Sequence, residues 1–221
     1  MKIKYYVLIW VLTFAVGFLI LKNYKDDMID IDYSKIEDAI VRIYDCQIYE
    51  NDLEHNNTGN PELSAKDISL SELTEKSDVV VKVKALRSVG RSDSALTTVK
   101  TITRYKGEPT DEFNVYECGE LTRQEIYSAT AGYIVMLPDK EYTLFLKNWE
   151  DPYTGEKAYL LTNVYYGKIY LNSDKMEVMD TETDFDTTVF SRYVNWGIIP
   201  ISEQILENYT AISDEVRKWE K

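Results

Sequence analysis

The sequence predicts a mainly β fold, either a sandwich or a small barrel, with flanking helices and an N-terminal transmembrane helix. Three observations support this prediction. Short segments rich in Val, Thr and Tyr alternate with turn residues between positions 79 and 172, an apolar run lies near the N-terminus, and an amphipathic pattern lies near the C-terminus. Short strands joined by turns are typical of sandwiches and barrels, whereas a parallel βαβ sheet requires helices between its strands.

The apolar run from Tyr5 to Leu21 predicts an uncleaved membrane anchor. As a helix it spans roughly 25 Å, slightly less than the ~30 Å hydrocarbon core of a bilayer, and the side chains of Lys22 and Lys25 can reach the interface. A cleaved signal peptide, which is the alternative, ends in small residues, but bulky and charged residues close this run. We therefore expect residues 3–21 to hold the chain in the membrane.

The distribution of charge predicts the orientation of the chain and excludes some partners. Lys2 and Lys4 precede the apolar run and Lys22 and Lys25 follow it, which gives a small bias toward a cytoplasmic N-terminus. The formal net charge is −13, and because the first 25 residues hold four lysines and no acid, the remainder carries −17. This charge argues against nucleic acid and anionic lipid, and favours a cationic partner, a metal ion or a wall polymer, unless it serves only solubility.

The region before the strands predicts two short helices. Residues 50–66 are polar and predict a loop, and Ser69 can cap a helix ending near Lys76, with Glu72 at the capping-box position. Residues 32–48 predict a helix, or a helix followed by a strand, with one apolar face made of Ile36, Ile40, Ile43 and Tyr44. The predicted organisation is an anchor at 1–25, a helix and polar linker at 26–68, a barrel at 69–180, and an acidic connector with a C-terminal helix at 181–221.

The strand region begins with three valines that alternate with other residues, as in a half-buried strand. Residues 141–147 are apolar on both faces, which predicts a central strand. Earlier in the region, Lys106 and Gly107 predict a turn. Further strands are predicted at 96–105, 113–118, 157–166 and 168–172, with a short apolar run at 132–137. We expect the interior to contain Val79, Val81, Val83, Leu144 and Leu146, with Val80, Lys82 and Lys84 on the other face.

Residues 202–219 predict an amphipathic helix with Ser202 as its cap. Its apolar stripe consists of Ile205, Leu206, Tyr209, Ile212, Val216 and Trp219. Because such a stripe has to be buried, we expect the helix to dock on the strand domain. Self-association of the helix and capture of a partner are the alternatives.

The sequence contains few residues that could form an active site. His55 is the only histidine and lies in a polar loop, which excludes Ser-His-Asp triads and most transition-metal sites. Cys46 and Cys118 could pair in an oxidising compartment or remain two separate thiols. The acids of residues 180–186 alternate as in Ca²⁺ loops, but the positions that require a glycine and a bidentate acid hold neither. We therefore predict no catalytic, cofactor-binding or metal-binding residues and no cofactor.

Two weaker functional signals remain. The many carboxylates leave open a hydrolase that uses a pair of them, although nothing in the sequence selects the pair. The chain also has 18 tyrosines, of which Tyr153, Tyr165 and Tyr166 lie near predicted turns and could form a binding surface. Tyrosine is also a common strand residue, so packing explains most of these side chains.

Three segments resemble those of netrin-like, or tissue-inhibitor-of-metalloproteinase-like, OB barrels. They are the SDVVVKVK segment at 77–84, the segment at 97–105 that runs into Lys106-Gly107, and the EYTLFL segment at 141–146. The same order, followed by a hairpin such as Gly167-Lys168, resembles membrane-anchored or lipoprotein-like proteins of Gram-positive bacteria. The resemblance covers about residues 69–175 and implies a small antiparallel five-stranded barrel.

The resemblance concerns fold and not activity. Metalloproteinase inhibitors have a cysteine just before the first strand, where this chain has Lys76 and Ser77, so protease inhibition is not implied. We expect a single-pass protein with most of its chain outside the cytoplasm, acting as a non-enzymatic module that binds an envelope protein or polymer. The alternative is an envelope hydrolase with paired carboxylates. A deep cleft with two facing acids would favour the hydrolase, and a shallow aromatic face would favour binding.

Overall fold

The structure, a computed structural model, describes residues 33–44, 66–91, 94–150, 155–179 and 188–220. All of them belong to the compact unit Ile31–Lys221. The predicted transmembrane helix at residues 3–21 lies outside these ranges. Within them, no helix is both long enough and apolar enough to cross a bilayer.

The described residues contain more strand than helix, which confirms the predicted mainly β fold class at this level. The helices are a 3-10 helix at Tyr33–Asp38, α1 at Leu70–Lys76, a 3-10 helix at Phe190–Tyr193, α2 at Glu203–Val216 and a 3-10 helix at Arg217–Glu220. The strands are β1 Ile40–Tyr44, β2 Val79–Arg91, β3 Ser94–Lys106, β4 Glu112–Glu117, β5 Gly119–Leu121, β6 Ile126–Thr130, β7 Glu141–Glu150, β8 Lys157–Leu161 and β9 Lys168–Ile169.

Five strands form a closed ring of pairings. β2 pairs with β3, β3 with β4, β4 with β8 and β8 with β7, and β7 returns to β2, while the short β9 also pairs with β7. The pairing of β4 with β8 is parallel and the others are antiparallel. The prediction of a wholly antiparallel sheet is therefore wrong at this pairing. Because β7 runs antiparallel to β2 and then reverses into β8, β8 has to follow the direction of β4.

A second sheet, which the sequence analysis did not predict, has the order β1-β6-β5, with β1 parallel to β6. Of the two alternatives predicted for residues 32–48, a helix or a helix followed by a strand, the described residues 33–44 show the second, with the helix in its 3-10 form. The hydroxyl of Tyr33 donates to the Gly119 carbonyl at 3.3 Å and accepts from the Leu121 N–H at 3.0 Å, which ties that helix to β5. The predicted apolar face is wrong at Ile40, which is 40% exposed, because strand alternation and not helical spacing decides its direction.

The five residues predicted to lie inside the ring are all buried: Val79, Val81, Val83, Leu144 and Leu146. Val80 is buried too, although it was predicted on the more polar face. It pairs with Phe145, whose ring lies 6.2 Å from that of Trp219. The C-terminal residues therefore cover the outer face of the ring at this point, so both faces of β2 and β7 are packed.

Both ends of α1 have hydrogen-bond partners. Ser69 caps its N-terminus as predicted, with Oγ accepting from the Glu72 N–H at 3.1 Å. At the other end Lys106 Nζ donates to the carbonyls of Thr74 at 2.8 Å and Ser77 at 2.5 Å. The last carbonyls of a helix have no partner inside it, so this lysine stabilises the end of α1 and attaches it to β3.

The glycine of the turn after β3 has a steric role. Gly107 has a φ of +76°, and a Cβ atom there would lie 2.7 Å from the carbonyl oxygen of Asp78. The side chain of Asp78 in turn accepts from the Asn148 N–H at 2.8 Å. The residues of the strand motifs thus fasten α1, β2, β3 and β7 to one another.

Helix α2 packs on the same core as the strands, as expected. Ser202 caps it, with Oγ accepting from the Ile205 N–H at 3.3 Å. The hydroxyl of Tyr209 accepts from the Tyr170 N–H at 3.0 Å. Four members of the predicted stripe are buried, namely Ile205, Tyr209, Ile212 and Val216, whereas Leu206 is half-buried and Trp219 is 37% exposed.

Candidate functional site

A group of buried polar contacts surrounds a stretch of irregular backbone, residues 131–137, which we name the buried segment. It follows β6 and leads toward β7, has no regular secondary structure, and is buried along its whole length. Ala131 and Gly132 both have positive φ angles, 55° and 73°, and turn the chain out of β6. Buried irregular backbone needs side-chain partners for its N–H and C=O groups, because no helix or sheet supplies them.

Two tyrosines supply partners to the buried segment. The hydroxyl of Tyr127 donates to the Tyr133 carbonyl at 2.8 Å and accepts from the Val135 N–H at 3.0 Å. The hydroxyl of Tyr142 accepts from the Leu137 N–H at 3.0 Å. Each phenol thus replaces a hydrogen-bond partner that a neighbouring strand would otherwise provide.

Glu117, the last residue of β4, is buried among further contacts to this segment. Its Oε2 accepts from the Tyr133 hydroxyl at 2.5 Å and from the Met136 N–H at 2.9 Å. Its Oε1 makes a close hydrogen-bond contact with the Thr97 hydroxyl. Thr97 lies 2.8 Å from Ser88, whose hydroxyl donates to the Met136 carbonyl at 2.8 Å.

Lys168, the first residue of β9, approaches the buried segment from the other side and is 2% exposed. Its ammonium group donates to the Ile134 carbonyl. It also lies over two aromatic rings, 4.1 Å from the centroid of Tyr133 and 5.5 Å from that of Tyr142. Tyr133 therefore stands between the lysine, which contacts its ring, and Glu117, which contacts its hydroxyl.

Burial dominates the proton affinities of this group. It raises the pKa of the Glu117 carboxyl, against the opposing influence of the Lys168 charge and the hydrogen bonds. It lowers the pKa of Lys168 to about 8, although the charge of Glu117 acts in the other direction. The pKa values of Tyr127 and Tyr133 are raised well above their ordinary value, again chiefly by burial. All of these groups are enclosed, so their shifts reflect the cost of burying charge.

The sequence analysis did not identify this network, but β4 contains a signal for part of it. Phe113, Val115 and Glu117 alternate along the strand, and all three are buried. A period of two therefore placed Glu117 on the inner face. No comparable signal marks Tyr133, which lies in irregular backbone.

A second candidate lies on the surface, at the outer end of the β7–β8 hairpin. This hairpin cleft has a volume of about 340 Å³ and is lined by Asn148, Trp149, Glu150, Lys157, Ala158 and Tyr159. Trp149 packs edge-to-face on Tyr116, with ring centroids 4.7 Å apart, and Tyr159 packs on Phe113 at 4.8 Å. Both aromatic side chains are half-buried, so each is held by β4 and still has an accessible part.

The residues singled out in the sequence analysis are not brought together. Tyr165 and Tyr166 are buried, so of the two alternatives raised for them, a binding surface and packing, the structure supports packing. The side chain of Asn163 accepts from both of their N–H groups. The side chain of Cys118 is half-buried. Outside the described ranges lie the other residues considered as candidates, namely Cys46, His55, Tyr153 and the acids of 180–186. Within those ranges, no group of three or more His, Cys, Asp or Glu side chains could hold a metal ion.

Comparisons of the chain with protein family models and with curated proteins find no match. The function therefore has to be argued from the geometry of the two candidates.

Proposed function

We propose that this chain is a binding protein of the cell envelope, anchored through residues 3–21, with a netrin-like OB barrel outside the cytoplasm. The barrel proposal is supported by the closed order β2-β3-β4-β8-β7 with β4 parallel to β8, together with the motif residues that fasten α1 to the ring. OB barrels bind oligomeric ligands on one strand face and adjacent loops, including the loop between their last two strands. In this chain that loop is the β7–β8 connection.

The observation that carries the binding proposal is the hairpin cleft. Its lining includes two half-buried aromatic residues, Trp149 and Tyr159, and three residues with hydrogen-bonding side chains, Asn148, Glu150 and Lys157. Rigid aromatic side chains beside polar groups are typical of binding hot spots. A sugar ring of an envelope polymer presents both an apolar face and hydroxyls, and therefore fits this combination.

The composition of the cleft is also why we favour binding over hydrolysis. A hydrolase with paired carboxylates requires two acids that face each other across the substrate. Among the lining residues that the structure describes there is one carboxylate, that of Glu150, which lies opposite Lys157 in the strand pairing. The buried Glu117 is enclosed and belongs to the network around the buried segment.

Binding can be tested with the full chain in detergent, using immobilised protein and two envelope fractions, a purified wall polymer and detergent-extracted envelope proteins. We expect retention of the polymer, and a loss of about tenfold or more in affinity for Trp149→Ala, because such an aromatic anchor contributes roughly 2 kcal/mol. Trp219→Ala is the matched control, since Trp219 is also partly exposed but packs on Tyr105. If the immobilised chain retained only an envelope protein, the ligand would be a protein and not a polymer. If Trp149→Ala bound as tightly as the wild type, the cleft would be excluded as the binding site.

Anchoring and orientation need a separate measurement. We expect the intact chain to require detergent for extraction from membranes, and added protease to degrade residues 31–221 from the outer side of intact cells. Release by high salt, or protection from the protease, would contradict this part of the proposal.

A further inference from the structure

We propose that Glu117 is a neutral carboxylic acid in the folded protein, and that raising the pH weakens the fold by removing its proton. The proposal concerns the interior of the ring and is independent of the ligand-binding proposal. It depends on counting the protons available to four oxygen atoms, each of which contacts the next. In order they are Glu117 Oε1, Thr97 Oγ1, Ser88 Oγ and the carbonyl oxygen of Met136.

Three close contacts join these four oxygens, and each contact requires one proton between its two atoms. The Thr97 and Ser88 hydroxyls supply two protons, and the Met136 carbonyl supplies none. With an ionised Glu117, one contact would bring two oxygen atoms together without a proton. A proton on Oε1 completes the series: Glu117 donates to Thr97, Thr97 to Ser88, and Ser88 to the Met136 carbonyl.

The other oxygen of the carboxyl group is consistent with the neutral form. Oε2 accepts from the Tyr133 hydroxyl and the Met136 N–H. A carbonyl oxygen has two lone pairs, so two donors satisfy it. In the neutral acid every donor and acceptor of the group therefore has a partner, which is the condition for burying it at low cost.

The charge of Lys168 and the hydrogen bonds to the Glu117 carboxyl favour its ionised form, but burial outweighs them and the pKa stays raised. The titratable groups that face it are Lys168 from β9, Tyr133 from the buried segment, Tyr127 from β6, Tyr142 from β7 and Tyr33 from the first 3-10 helix. Burial raises the pKa of each of these tyrosines, so they stay neutral over the ordinary pH range. Lys168 donates to the Ile134 carbonyl, and within the described contacts it makes no hydrogen bond to Glu117.

The direction of the pH effect follows from linkage. A carboxyl whose pKa is raised on folding keeps its proton where the unfolded chain has lost it. The free energy of unfolding therefore falls as the pH rises from about 4.3, the ordinary value for Glu, to the raised value. Lys168 has the opposite effect and acts at higher pH. Because burial lowers its pKa to about 8, the folded chain loses this proton before the unfolded chain does, so the free energy of unfolding rises between about pH 8 and the ordinary pKa of lysine.

The test compares melting temperatures of the full chain at about pH 5 and about pH 8 for the wild type and Glu117→Gln. Glutamine imitates the neutral acid, since its amide N–H can donate to Thr97 and its oxygen can accept the two donors at Oε2. We expect the melting temperature of the variant relative to wild type to rise with pH. Glu112→Gln, at the exposed end of the same strand, is the matched control and should show no such trend. If the melting temperature of Glu117→Gln differed from that of the wild type by the same amount at both pH values, the proposal would be overturned.

A second measurement does not depend on whether the glutamine variant folds. Infrared spectroscopy of the wild type near neutral pH should show the carbonyl stretch of a protonated carboxylic acid, because exposed carboxylates are ionised there and contribute none. The band should disappear at alkaline pH together with part of the stability. A wild-type spectrum without this band would show that Glu117 is ionised, and the proposal would fail.

Discussion

The two halves of β7 differ in burial and in pairing partner although they belong to one strand. Its first half, residues 142–146, is buried on both faces and pairs with β2, which closes the ring. Its second half, residues 147–150, is exposed or half-buried, pairs with β8, and carries Trp149 at the hairpin cleft. The first half holds the fold together, and the second half is the part that is free to meet a ligand.

The difference shows that a shifted pKa does not by itself mark an accessible site in this molecule. Glu117 and Lys168, whose pKa values are shifted chiefly by burial, belong to the network around the buried segment. The hairpin cleft has the composition of a binding surface but lies outside that network. A search guided by shifted pKa values alone would select chiefly the structural network, although burial also raises the pKa of Tyr159 at the cleft.

The largest expected contrast is between Leu144→Ala and Trp149→Ala, one in each half of β7. Leu144 is fully buried, so its truncation should lower the free energy of unfolding by about 2–5 kcal/mol. Trp149 is partly exposed, and its truncation should change stability by no more than about 1 kcal/mol while reducing ligand binding. Urea unfolding of the full chain measures both. Similar losses for the two variants would remove the distinction between the halves.

A smaller contrast separates two tyrosines. Tyr133→Phe keeps the ring beneath Lys168 but removes a donor to Glu117, and should cost about 1–3 kcal/mol. Tyr159→Phe, at the cleft, is the matched control and should cost less than about 0.5 kcal/mol. The same unfolding measurement applies. If the Tyr133 variant were as stable as the control, the hydroxyl would not be needed by the network.

The smallest expected effect has the opposite sign. The Thr143 hydroxyl is buried in the first half of β7 without a hydrogen-bond partner in the described structure. Thr143→Val should therefore raise the free energy of unfolding, by about 1 kcal/mol. Thr162→Val is the control, because the buried Thr162 hydroxyl contacts that of Ser77 at 2.8 Å and its loss should cost about 1 kcal/mol. If both variants were destabilised to the same extent, the Thr143 hydroxyl would have to have a hydrogen-bond partner in the folded protein, contrary to the structure.

The first half of β7 could be predicted from the sequence, whereas much of the surrounding structure could not. Periodicity and apolar content located β2, β7 and α2, and the cap residues Ser69 and Ser202 marked helix starts correctly. The same rules extended β8 too far, because the turn centred on Asn163 depends on a side-chain contact that local pattern does not reveal.

The candidate sites were harder to predict, for two different physical reasons. Tyr133 and Lys168 acquire their roles through contacts with distant parts of the chain, namely Glu117 and Ile134, and sequence spacing does not encode such contacts. The second sheet was missed because β5 and β6 are short and because its parallel pairing with β1 joins residues far apart in the sequence.

The separation of β1 from β6 has a consequence for how the chain acquires its structure. Tyr33, which begins the 3-10 helix before β1, donates a hydrogen bond to the carbonyl of Gly119, a residue 86 positions later in the chain. At a synthesis rate of about 5–20 residues per second, its partner emerges roughly 4–17 s afterwards. Contacts of such long range are entropically costly to form and favour slow folding. During that interval β1 has an unsatisfied edge, so the nascent chain is most vulnerable to association with other chains before β6 has been made.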